Sequence, residues 1–116
     1  MLNIRPDQME VLSAVMRSGF EQRMLTHLRH RFPAPTNGRS DEQILVFIRY
    51  GIDRSAAYGI TLDQDVARYL EYMMMYGARF DADPRYAWAA RILQDADLSG
   101  TTKMDRVDEY DQFVLR

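Results

Sequence analysis

The sequence predicts an all-α fold, a single compact bundle of about five helices formed by residues 1–116. Three observations carry this. Apolar residues recur every three or four positions over long stretches, the period of an amphipathic helix. Helix-start signals stand ahead of those stretches, as Pro6, Asp83–Pro84 and Ser or Thr capping pairs. No segment sustains the period-two alternation of a half-buried strand, so no sheet is expected.

The first helix is predicted near 5–31. Pro6 suits a first helical turn, and Asp7 and Glu10 place negative charge at the positive end of the dipole. Met9, Leu12, Met16, Phe20, Met24 and Leu28 form one stripe, which Gly19 interrupts without ending. Arg29, His30 and Arg31 complement the carboxyl end. Pro33 and Pro35 stop the helix, and Asn37–Gly38 marks a turn in the loop 33–39. Ser40 and Gln43 read as a capping box opening a second helix near 40–58. Its inner face carries Ile44, Phe47, Ile48, Gly51, Ile52 and Ser55, and Gly59 suits a left-handed cap. Thr61 and Gln64 repeat the box before a third helix near 61–78, with Leu62, Val66, Tyr69, Leu70, Met73 and Gly77 inward. So short a connection makes these two helices antiparallel neighbours or sets them at a sharp angle. Asp83 caps a short fourth helix near 84–94, marked by Tyr86, Ala89, Ala90 and Leu93. After the Ser99–Gly100 break, Thr102 is expected to cap a last helix near 101–115 carrying Met104, Val107, Tyr110, Phe113 and Val114.

With 116 residues, 47% apolar, the chain suits one small domain with a real core. A net charge of -2 gives no global pull toward nucleic acid or anionic membrane. The absence of cysteine excludes disulfides, thiolate zinc sites, iron–sulfur ligation and a cysteine nucleophile. Charges interrupt every apolar run, so neither a membrane span nor a secretory signal is read, and a cytoplasmic location is expected. Lys103 is the only lysine; the other cations are arginines, which does not read as a phosphate-binding signature.

Asp95, Asp97, Ser99 and Gly100 match the first half of a calcium loop, but the twelfth position, which needs a bidentate Glu, is Arg106. An Asp-rich turn explains them as well. His27 and His30 have metal-pair spacing on a helix, yet lie among Arg23, Arg29 and Arg31, which oppose a dication. No nucleophile elbow, phosphate loop or zinc-protease motif is present. The carboxylate pairs 63/65, 81/83, 95/97 and 108/111 fall at helix starts, turns or the last helix. No enzyme activity, cofactor or metal is therefore expected. The basic run Arg23, His27, Arg29, His30, Arg31 and Arg39 is the nucleic-acid candidate, but the net charge, the single lysine and the Asp residues at the other helix starts favour a solvated helix end.

The stretch 72–88 is the least ordinary. Three consecutive methionines point in three directions around a helix, and Tyr76, Phe80, Tyr86 and Trp88 cluster around a turn rich in Asp and Arg. These residue types are enriched at protein interfaces. Met75 lies about 200° around the helix from the inward Met73, at roughly 100° per residue. Phe80 follows the expected cap at Gly77, in a turn where exposure is common. Met75 and Phe80, with neighbouring Asp81 and Arg85, are the predicted partner-binding residues. Trp88 fits either core or interface.

Here the chain resembles a known group. The opening IRPDQMEVL with Phe20, HLRHRFP at 27–33, YGI at 58–60 and YGARFDADPRYAWAARIL at 76–93 are similar to small helical accessory proteins of bacterial type VI secretion effector clusters. The tryptophan step of that group reads Pro–Trp–Ala, against Ala87–Trp88–Ala89 here. The resemblance implies a cytoplasmic accessory that binds another protein and carries over no catalytic residue. The expected role is a chaperone, co-chaperone or adaptor for a secretion effector, possibly acting with a second chaperone. The alternatives are a cytoplasmic immunity protein that neutralises a toxin and a nucleic-acid-binding regulator. Oligomeric state is left open.

Overall fold

The computed structural model describes residues 6–115, with side chains from residue 16 onward. The expectations for the side chains of Asp7, Met9, Glu10 and Leu12 lie outside that range. The fold is all-α: among the described residues there are helices and turns and no strand. The chain divides into two compact units, the first ending at Leu45 and the second starting at Val46.

In the first unit, α1 (Pro6–Arg31) buries Phe20, Met24, Leu25 and Leu28. Phe20, Met24 and Leu28 continue the predicted stripe and Leu25 joins them, whereas Met16 is exposed. The predicted loop contains one helical turn, α2 (Pro33–Thr36). Pro33 supplies a preset φ at its start, and the buried Thr36 hydroxyl donates back to the Phe32 carbonyl at 2.7 Å. Arg29 ties this turn together. Its guanidinium donates to the Thr36 carbonyl at 3.2 Å, the Arg39 carbonyl at 2.8 Å and Asp41 Oδ1 at 2.7 Å. Helix α3 (Asp41–Ala57) opens with the predicted box: the Gln43 amide donates to Ser40 Oγ at 3.1 Å, and the Ser40 amide to Gln43 Oε1 at 2.9 Å.

In the second unit, α3 ends as the glycine predicted. Gly59 has φ +76°, the Ile60 amide reaches the Ser55 carbonyl and the Gly59 amide the Ala56 carbonyl. This is a Schellman cap, and its hydrophobic residue Ile60 is fully buried. Helix α4 (Asp63–Tyr76) buries Val66, Tyr69, Leu70, Tyr72 and Met73. It begins one residue later than the Thr61 box requires. Leu62 occupies the cap with no side-chain bond and is exposed, while Asp63 and Asp65 supply the acidic first turn. A 3₁₀ turn (Pro84–Tyr86), capped by Asp83, leads into α5 (Ala87–Leu93). Helix α6 (Gly100–Tyr110) is capped by Ser99, whose Oγ accepts the Thr102 amide; Thr102 lies inside the helix. A π-helical stretch, Asp111–Leu115, follows.

A polar seam joins α4 to α6. Arg68 donates to Asp65 at 2.6 Å, Asp105 at 2.9 Å and Asp108 at 2.7 Å. The Tyr72 hydroxyl donates to Asp108, the Tyr76 hydroxyl to Asp111 and the Thr101 hydroxyl to Asp65. Lys103 is buried, and its ammonium donates to the Tyr58 carbonyl at 2.7 Å, fixing α6 to the end of α3.

Candidate protein-binding surface

The turn after α4 folds back over that helix. The Phe80 amide bonds the Gly77 carbonyl and the Ala82 amide the Arg79 carbonyl. Phe80 is thereby inserted among Tyr69, Tyr72 and Tyr76, with ring centroids 5.1, 6.3 and 6.4 Å away, and is 1% exposed. This corrects the expectation of an exposed Phe80: a turn position is open only when the turn leaves the core, and this one returns to it.

Asp81 is corrected likewise, at 1% exposed. Its Oδ2 accepts from Arg54 Nε at 3.0 Å, Arg54 Nη2 at 2.6 Å and the Tyr58 hydroxyl at 2.7 Å. The Asp81 contact raises the Arg54 pKa further above its ordinary value, and burial pushes the Tyr58 phenol up. Asp81 thus clamps the turn to α3. Of the four predicted partner-binding residues, only Met75 and Arg85 offer surface. Met75 is exposed on α4, as the helical rotation predicts. Arg85 is exposed, paired with Asp83 at 2.7 Å and laid over the Tyr86 ring.

The other candidates are held by local structure. Asp95 accepts the Asp97 amide, Ser99 caps α6 and Asp105 bonds Arg68, so the half-loop at 95–106 serves as turn and helix start. Among the described residues no three His, Asp or Glu side chains gather as a metal would need. Within the basic run, Arg29 is consumed by the α2 turn, and Arg23 and Arg31 lie over the Phe20 and Phe32 rings. No described helix is long and apolar enough to cross a membrane.

The aromatic chain continues outward from Phe80. Tyr76 stacks on Tyr86 at 4.8 Å and meets the edge of Trp88 at 6.1 Å. Trp88, half-buried, stacks on Tyr110 at 4.3 Å with planes 11° apart. Tyr110 in turn forms a wall of an open groove of about 760 Å³ between α5 and the end of α6. Ile92, Leu98, Phe113 and Val114 provide its apolar lining, and Arg91, Arg106, Asp95 and Glu109 its charged rim.

Phe113 and Val114, carried on the predicted last helix, are 79% and 60% exposed, and Leu115 is exposed beside them. Met104, Val107 and then Asp111, bonded to Tyr76, occupy the buried stripe. Phe113, two residues on from Asp111, is about 200° around the helix from it at roughly 100° per residue, and so faces away from that stripe. A signal was present in the sequence: three consecutive apolar residues, 113–115, cannot share one helix face, as with the methionines at 73–75. No family model matches this chain, nor does any curated protein or solved structure.

Proposed function

We propose that this chain is a non-enzymatic protein-binding accessory, a chaperone or adaptor for a type VI secretion effector, and that its docking surface is the α5–α6 groove. The supporting observation is the exposed apolar ridge Phe113–Val114–Leu115 beside an apolar hollow backed by stacked Trp88 and Tyr110. Large apolar side chains clustered in a charged rim form the usual anatomy of a protein interface, with aromatics as anchors. The sequence resemblance supplies the partner class, an effector encoded beside the chain.

The test is binding of that purified effector to the wild type and to Phe113→Glu. Affinity is expected to fall at least about tenfold, with the helical signal and melting point unchanged, since Phe113 is an exposed anchor. Unchanged affinity would remove the groove from the function. Adding the wild-type chain to the effector then separates the roles. A chaperone leaves the effector's activity intact and raises its solubility, whereas an immunity protein abolishes the activity at equal stoichiometry.

A further inference from the structure

The rim of the groove carries charges of both signs that no other described residue answers. Arg91, Arg106 and Glu109 form no ion pair or hydrogen bond among the described residues. Arg106, Glu109 and Tyr110 share one face of α6, and Phe113, in the π-helical stretch beyond it, lines the same groove. From Arg106 onward an unpaired cation, an unpaired anion and an apolar knob follow in order, and half-buried Ile92 and Leu98, the latter just ahead of the start of α6, line the same groove. A purely acidic partner segment would leave Glu109 opposed by like charge, and a purely basic one would oppose both arginines. A surface bearing both signs, a knob and a hollow complements a rotated copy of itself.

We propose that, in the absence of its effector, the protein pairs with a second copy of itself through this groove, α6 against α6, antiparallel about a two-fold axis. The inference rests on the groove being the binding surface. With the axis crossing α6 between Arg106 and Glu109, Arg106 of each copy meets Glu109 of the other, so the pair is made twice. Phe113 lies beyond the C-terminal end of α6, on the far side of Glu109 from Arg106. The rotation therefore carries Phe113 of each copy toward Leu98 and Ile92 of the other. Self-pairing covers the ridge that the effector would otherwise cover, so the two complexes exclude one another.

The test is light scattering and sedimentation over a wide concentration range. The wild type is expected to pass from monomer to dimer as concentration rises. Phe113→Glu, Arg106→Glu and Glu109→Arg should each weaken the dimer by about tenfold or more, with the helical signal retained. Mixing Arg106→Glu with Glu109→Arg should restore pairing, because the heterodimer regains both opposite-charge contacts, and the double variant should restore it within one chain. A wild type that stays monomeric throughout overturns the proposal, as does a dimer indifferent to these substitutions. The same variants separate this proposal from the function. If the wild type is monomeric but Phe113→Glu loses the effector, only self-pairing is wrong. If the dimer responds as expected while the effector binds every variant normally, only the docking assignment is wrong.

Discussion

Phe80 and Met75 lie five residues apart and meet opposite fates, which sets what their substitution should do. Phe80 contacts three tyrosine rings and is almost fully buried. Phe80→Ala removes those contacts and leaves a cavity, at an expected cost of about 3–5 kcal/mol in stability. Met75 is exposed on α4, so Met75→Glu should stay within about 0.5 kcal/mol. Urea unfolding of both variants checks the contrast; a mild Phe80→Ala would place that ring on the surface after all. The difference also marks where sequence reading stops at this scale. The position of Met75 follows from rotation along its own helix. That of Phe80 depends on a turn folding back, held by Asp81 to Arg54, 27 residues away. No local pattern encodes that pairing. Lys103 is similar: being the only lysine distinguished it, but its use became visible only beside the Tyr58 carbonyl.

Among the elements, helix positions were legible because each follows from a local period and a local cap. Where the reading slipped, the competing physics was also local but too fine for pattern. Ser99 and Thr102 both cap well in principle, and Ser99 wins because Gly100 lets α6 begin against the preceding cap. A Cβ on Gly100 would stand 2.9 Å from Ile60 Cα and closer still to the Gly59 carbonyl oxygen, both backbone atoms that cannot rotate away. A Cβ on Gly51 would crowd the Leu70 methyl and the Met73 sulfur at 2.7 Å, the far ends of flexible side chains. Gly100→Ala should therefore cost about 1–3 kcal/mol, the usual penalty of overpacking. Gly51→Ala should cost less, since side chains can repack and alanine gains about 1 kcal/mol of helix propensity. Denaturation midpoints of the two variants test the order, and the reverse order would mean that α6 does not lie tightly against the Gly59–Ile60 cap. The π-helical stretch was illegible for a different reason. At its start Asp111 turns inward to the Tyr76 hydroxyl, a contact between α4 and the chain beyond α6 that no local pattern encodes.

At the scale of the whole molecule, buried ionisable groups bound the pH range in which the fold survives. Burial alone would raise the Asp65 carboxyl, but hydrogen bonds from Arg68 and Thr101 outweigh it and hold the group below its ordinary value. A carboxyl depressed in the fold gives stability that is present above the unfolded value, about 3.9, and is lost as pH falls through the lower folded value. At the other end, Tyr58, Tyr69 and Tyr72 are all pushed up, first by burial. Their contribution is complete below the unfolded phenol value of about 10. It is lost above that value, because the unfolded chain ionises there while the fold keeps them neutral. Stability should therefore be level from about pH 5 to 9 and fall on both sides, more steeply on the alkaline side, where three buried tyrosines act together against buried Asp65 and against Asp83, paired with the exposed Arg85. Tyrosinate absorbance followed alongside circular dichroism tests this directly. Of the seven tyrosines, these three should ionise only as the helical signal collapses. If all seven ionise in one step near the ordinary phenol value while the helices remain, Tyr58, Tyr69 and Tyr72 are solvated, and the packing around Phe80 that buries them is wrong.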